Sequence, residues 1–235
     1  VIPEARIQEM RMNYSTSSWN FIKSVNDMTV ASCMIVDIAP DEKTILARMK
    51  PKTRYNIGLA ARKGVQTFLA GKDYLPAFYE LYLQTAGRNK FLVCDYEHFQ
   101  ALFSVLEEDN QDAEVLFLLS CHDNDLLAGV IMAISEKTAL FLFGASSNCK
   151  RNYMGSYAVH WEAIRHARLR GCVEYDMGGV SPGVEPDHPF HGLYHFKSGF
   201  GGQMVHRTGT WDFPLEKDTY TAFRNAETIL CGLGG

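Results

Sequence analysis

Between Glu114 and Gly144 three apolar segments follow one another with almost nothing between them: Glu114–Cys121, Leu126–Ser135 and Thr138–Gly144. The breaks are the turn formers HDND and the pair Glu136-Lys137, and connections this short join antiparallel neighbours. A meander is therefore expected at the centre of the fold. Met154–Arg170 then changes period, placing Met154, Tyr157, Ala158, Trp161 and Ile164 on one inward face, and Gly171 ends the helix. Cys172–Met177 returns to a strand. Strand, helix and strand in succession require a crossover, so the two strands flanking the helix should run parallel. The fold class this predicts is α/β (α+β), a mixed sheet flanked by helices.

The remaining segments cover that sheet. Cys33–Ile38 reads as a buried strand before Pro40, and helical spacing starts after Asp41 with Ile45, Leu46 and Met49. Leu75, Phe78, Tyr79 and Tyr82 mark a packed face on a helix over Lys72–Arg88, as Phe99, Leu102, Phe103 and Leu106 do over Tyr96–Leu106. GLYHFK opens a short helix, and Gln203–Phe213 is expected to be one strand. With 46% hydrophobic residues in 235, the chain can bury a substantial core. No apolar run reaches the length of a membrane span, and six cysteines without a close pair fit free thiols in a reducing cytoplasm.

A net charge of −4 draws the chain toward no polyanion as a whole, so any such contact needs a local patch. One stretch qualifies. Lys50, Lys52, Arg54, Arg62 and Lys63 fall within KPKTRYNIGLAARK without a single acid. Pro51 suits its first helical turn and Gly64 its C-terminal cap, and the alternative to a phosphate-binding role is a solvated basic face.

The segment DHPFHGLYHFKSGFGG admits three readings. His188, His191 and His195 with Asp187 have spacing that suits a zinc site, but Pro189 interrupts a regular helix and no HExxH-type partner supplies a base, so no metal is expected. Phe196 and Phe200, four apart, would form a packing face and leave Lys197 solvated. The third reading gives Lys197 to chemistry.

Meander, helix, strand, helix, strand is also the order of GNAT acyltransferases, a resemblance that makes acyl-CoA transfer an alternative. Those enzymes hold a pyrophosphate on helix N-terminal amides beside small residues. Here the corresponding turn is KRNYMGSYA, with Asn152 in the first position and the large ring of Tyr157 in the last, so CoA is disfavoured.

KPKTRYNIGLAARKGV, TAGRNKF (Thr85–Phe91), FLFGASS (Phe141–Ser147), YDMGGV and GLYHFKSGFGG, in this order, resemble the Fem family of aminoacyl-tRNA-dependent peptidyltransferases, which build the cross-bridge of peptidoglycan. The resemblance implies two GNAT-like domains, the first only in part here as residues 1–64 joined by 214–235, the second as 65–213. It implies an aminoacyl-tRNA donor and a muropeptide acceptor, linked to UDP or to lipid, without metal or organic cofactor. The place would be the cytoplasm, extending to the inner face of the plasma membrane. Carried over residue by residue, it gives Lys197 the catalytic role and sets Phe196 at the end of the aminoacyl-tRNA, with glycines letting that end approach the backbone. Arg88 resembles a position near the precursor. Asp176 points into the cleft or caps its turn; Tyr153 and Tyr157 line a groove or pack; Lys52, Arg54, Arg62 and Lys63 meet phosphates. Phe141 and Phe143 stand where the family often has tyrosine. A relative that binds muropeptide or tRNA without catalysis is the alternative from another class.

Overall fold

The computed structural model describes residues 21–27, 31–105, 113–182, 188, 190–207 and 209–232. Two strands, β1 (Ile22–Lys23) and β2 (Ser32–Asp37), precede two helices, α1 (Glu42–Arg48) and α2 (Pro51–Arg62). Asp41 starts α1 by accepting the Thr44 amide at 2.7 Å, Pro51 opens α2, and Gly64 follows it in the left-handed region at φ 77°. Then come β3 (Gln66–Leu69), a 3₁₀ turn at Lys72–Tyr74, α3 (Leu75–Asn89) and α4 (Tyr96–Val105). The meander is β4 (Glu114–His122), β5 (Asp125–Ser135) and β6 (Thr138–Ser146), followed by α5 (Gly155–Leu169) and β7 (Glu174–Gly179). Last are α6 (His191–Ser198), β8 (Gln203–His206), β9 (Trp211–Asp212) and α7 (Lys217–Gly232).

Strand order is β3-β4-β5-β6-β7-β2-β8, with β1 and β9 forming a separate antiparallel pair. The meander is antiparallel throughout, and β6 and β7, on either side of α5, pair in parallel from Thr138↔Glu174 to Leu140↔Asp176. The expectation of one strand over Gln203–Phe213 fails: Gly209 turns at φ 74° between β8 and β9, which belong to different sheets. The edge strand β3 is an element that the sequence pattern does not show. Leu106, Asp187 and Pro189 lie outside the described residues.

By its contacts the chain divides into one unit of Val1–Cys33, Gly179–Leu193 and Met204–Gly235 and another of Met34–Gly178 and Tyr194–Gln203. This differs from a division at residue 64, because α1 and α2 are bonded to the meander unit. Lys63 Nζ donates to Asn152 O at 3.1 Å, Arg165 Nε to Glu42 at 3.0 Å, and Arg168 Nε to Ile38 O at 2.9 Å.

Strand alternation sends Phe117 and Leu119 to one face of the meander and Ser120 to the other. On the first face they meet Phe78 and Tyr82 of α3 and Phe99 of α4 in an apolar cluster. On the second, Ser120 Oγ donates to Gly155 O at the start of α5. The inward face of α5 is Val159, His160, Ala163, Ile164 and Ala167, with Trp161 at its border. Met154, Tyr157 and Ala158, expected inside, are only half-buried. A bulge shifts the register between Ile131↔Phe143 and Met132↔Phe141, so alternation breaks at Leu142. Phe143 therefore joins the first face, 4.8 Å from Phe99, while Phe141 turns to the second, 5.3 Å from His160.

Candidate functional site

Lys197 is buried, with 5% of its surface exposed, so the reading that leaves it solvated is corrected. The correction has a clear cause. The helix α6 ends at Ser198, and the turn after it packs tightly on α1 and α2. A Cβ at Gly199 would lie 2.3 Å from Thr53 Oγ1, and one at Gly201, where φ is 81°, 2.7 Å from Arg48 O. These glycines serve close approach of the chain to itself. Lys50 adds a bond from Nζ to Ser198 Oγ at 2.9 Å and one from its amide to Gly199 O at 2.9 Å. With its C-terminal end held so closely, α6 directs Lys197 inward.

The ammonium of Lys197 stands 5.3 Å from the centre of the Phe141 ring. The phenylalanine offers the ammonium a π face, a contact of about 1–2 kcal/mol when water is excluded. Gly178 completes the wall: its φ of 74° disfavours a side chain, and a Cβ there would sit in ordinary contact, 3.7 Å from Phe141 and 3.8 Å from Lys197 Nζ. Asp176, 5% exposed, accepts the Gly178 amide at 2.8 Å and so caps this turn.

Around the lysine lies a polar and aromatic shell. Phe196 meets Tyr157 at 5.1 Å, His160 at 5.4 Å and Phe200 at 5.4 Å. His160, which helical spacing did not single out, is hydrogen-bonded through Nδ1 to the Tyr175 hydroxyl at 3.0 Å. Burial, reinforced by the charge of Lys197, lowers its pKa to about 3, so the imidazole is neutral. Burial and the Asp176 charge push the Tyr175 phenol above its ordinary range. An ammonium fixed against an aromatic ring in a buried site can stabilise negative charge that develops beside it.

The other expected site residues disperse. Arg88 donates to Ser146 O at 3.1 Å, to Ser146 Oγ at 2.8 Å and to Asn148, while Thr85 Oγ1 accepts the Ser146 amide at 2.8 Å. TAGRNKF thus clamps the end of β6. Arg54 donates to the carbonyls of Leu46, Ala47 and Met49, closing the C-terminus of α1. Arg62 lies 5.5 Å from the Tyr55 ring, and Lys52 is exposed. Tyr153 receives Lys63 at 4.5 Å and Lys150 at 5.6 Å, beside His122. Along the basic stretch Arg54 is bonded to the end of α1 and Lys63 to Asn152 O, while Lys52 and Arg62 are exposed.

His188 Nδ1 accepts the Phe190 amide at 3.0 Å, and His191 begins α6. Among the described residues no three His, Cys, Asp or Glu side chains are grouped to hold a metal ion.

The model of the FemAB family matches residues 34–120 and 107–228, which takes in every element described above except β1 and the ends of β2 and α7. The lipid II:glycine glycyltransferase of Staphylococcus saprophyticus is 22% identical over 82% of this chain, and the match spans 61% of that protein's length. The crystal structure of FemX superposes with a TM-score of 0.83 at 18% identity, covering 95% of this chain and 72% of that one. A GCN5-related glucosamine N-acetyltransferase region of a fungal multidomain enzyme superposes at 0.50 with 12% identity over 87% of this chain and 23% of its own, so the sheet with its flanking helices is GNAT-like. The match to the family model runs unbroken through both the meander and the helix that buries Lys197, and the chain belongs to the FemAB family.

Proposed function

We propose that this chain carries the acyl-transfer site of an enzyme that moves an amino acid from aminoacyl-tRNA to the stem-peptide amine of a peptidoglycan precursor. The buried ammonium of Lys197 is the observation that carries the reading. In this reaction the amine nitrogen attacks the ester carbonyl, a C–N bond forms, and the carbonyl oxygen takes up negative charge. Collapse then breaks the bond to the terminal ribose oxygen, which leaves as a hydroxyl with the proton lost by nitrogen. Lys197 stabilises the oxyanion or the adjacent phosphate, and the surrounding rings limit the water that would weaken that attraction. The ester is already activated, so the step calls for neither a metal-bound water nor an organic cofactor.

Family membership supports this reading, as do relatives named as lipid II:glycine glycyltransferases. The same names favour a lipid-linked acceptor, which would bring the reaction to the inner face of the plasma membrane. Among the described residues no helix is long and apolar enough to cross a membrane. Incubation of the protein with a mixture of aminoacylated tRNAs and either UDP-linked or lipid-linked muropeptide, followed by mass spectrometry, should show the precursor gaining the mass of an amino-acid residue. No gain with either precursor would refute the proposal.

A further inference from the structure

His160 occupies the point where two chains of contact meet. One runs from its ring to Phe196 at 5.4 Å, along α6 to Lys197, from Nζ to the Phe141 ring at 5.3 Å, and back to His160 at 5.3 Å. The other runs from His160 to the Tyr175 hydroxyl at 3.0 Å and along β7 to Asp176, whose carboxylate accepts the Gly178 amide at 2.8 Å in a turn where an added Cβ would lie 3.8 Å from Lys197 Nζ. The first chain ends on the ammonium, and the second ends in the turn beside it. We propose that His160, held by Tyr175, is a positioning residue that fixes Lys197 for acyl transfer; the inference rests on the role given to Lys197 above.

The chemistry of the pair argues for this. A histidine and a tyrosine, 5% and 0% exposed, stand where two apolar residues would pack without any hydrogen bond to satisfy. A buried polar pair adds little net stability over such a replacement, but it fixes one relative placement of its two elements. Here those elements are α5 and β7, and β7 ends in the turn that walls Lys197. Neutrality matters as well: a charged imidazole would repel the ammonium it positions, and burial keeps it uncharged.

The test is a mutant cycle in the mass assay with mixed aminoacylated tRNAs and muropeptide. His160→Leu/Tyr175→Phe removes both polar partners together, so neither is left buried alone. It should keep a cooperative melting transition and substrate KM values within about twofold, while turnover falls ~10- to 100-fold, the scale of a small misplacement at a reacting centre. Adding Lys197→Met to this variant should cost no more than Lys197→Met alone. Wild-type turnover in the pair variant, or a triple variant whose loss is the product of the two separate losses, would overturn the inference. If the pair variant does not fold, Tyr175→Phe alone must lower turnover at unchanged KM, and full turnover there overturns it equally. A fully active Lys197→Met would instead sink the underlying reading of the site. A crippled Lys197→Met beside a fully active pair variant sinks only the role of His160.

Discussion

The two faces of the meander differ in what they bury beside their apolar side chains. Under α3 and α4, Phe78, Tyr82, Phe99 and Phe117 interlock with centroid distances of 5.1–6.4 Å, and the buried side chains of that cluster carry no charge. Under α5 the same sheet packs on Val159, Ala163 and Ile164 together with the bonded pair His160 and Tyr175, and Phe141 on that face stands beside the buried Lys197. Apolar burial stabilises, whereas each buried polar group carries a desolvation cost that its partners must offset. The first face is what folding requires; the second retains costly groups around one ammonium, which is the expected signature of a site built for chemistry.

Substitutions on the two faces should therefore separate stability from turnover. Phe78→Ala, at a fully buried ring touching three other aromatics, should lower unfolding stability by about 3–5 kcal/mol, read from urea titration. A loss below about 1 kcal/mol would mean that the aromatic face is not the stabilising one.

Acid should reveal the second face. The unfolded chain protonates His160 near its ordinary 6.5, while the folded protein holds it neutral down to about 3. Above pH 6.5 both states are neutral and the difference vanishes. As pH falls below that, the unfolded state binds a proton that the folded state refuses, and stability drops by about 1.4 kcal/mol per pH unit. His166, whose pKa burial also lowers, adds to the trend. Between pH 7 and pH 5 His160→Leu/Tyr175→Phe should lose about 2 kcal/mol less than the wild type. Equal losses would show that His160 is not held neutral by the fold.

The basic stretch gives the smallest effects. Arg54→Ala should cost about 0.5–1 kcal/mol by opening the C-terminus of α1, with no change in the salt dependence of tRNA binding. Lys52→Ala/Arg62→Ala/Lys63→Ala should do the reverse. Stability should stay within about 0.5 kcal/mol, and the slope of log affinity against log salt should flatten by roughly 0.7 for each phosphate that is no longer neutralised. A flattened slope in Arg54→Ala, or an unchanged one in the triple variant, would reverse these assignments.

How far the molecule could be read from its residues follows from the range of the interactions involved. The meander and the crossover helix were legible because HDND and Glu136-Lys137 are local turn signals, and the residues at their tips, Asp123 and Glu136, adopt φ of 54° and 53°. β3 was not, because an edge strand of four residues has too few alternations to show a period. The split at Gly209 was hidden for the opposite reason, since the residues on either side favour strands. At the site, the motif resemblance pointed to Lys197, but not to its burial. That depends on the Leu142 bulge, which turns Phe141 toward the lysine, and on Gly199 and Gly201 meeting α2 and α1, all of them long-range features. Arg88 and Arg54 looked like ligand-binding cations because sequence does not distinguish a guanidinium facing a phosphate from one facing its own chain's carbonyls.

The most direct test of the account is Lys197→Met, which keeps the length of the side chain and removes its charge. Measured with mixed aminoacylated tRNAs and the muropeptide acceptor, its turnover should fall by ~100-fold or more, the scale for losing one preorganised donor to a developing oxyanion. Its melting temperature should match or exceed that of the wild type, because a buried ammonium has been replaced by an apolar group. Full transfer activity in this variant would contradict the account, whatever its stability.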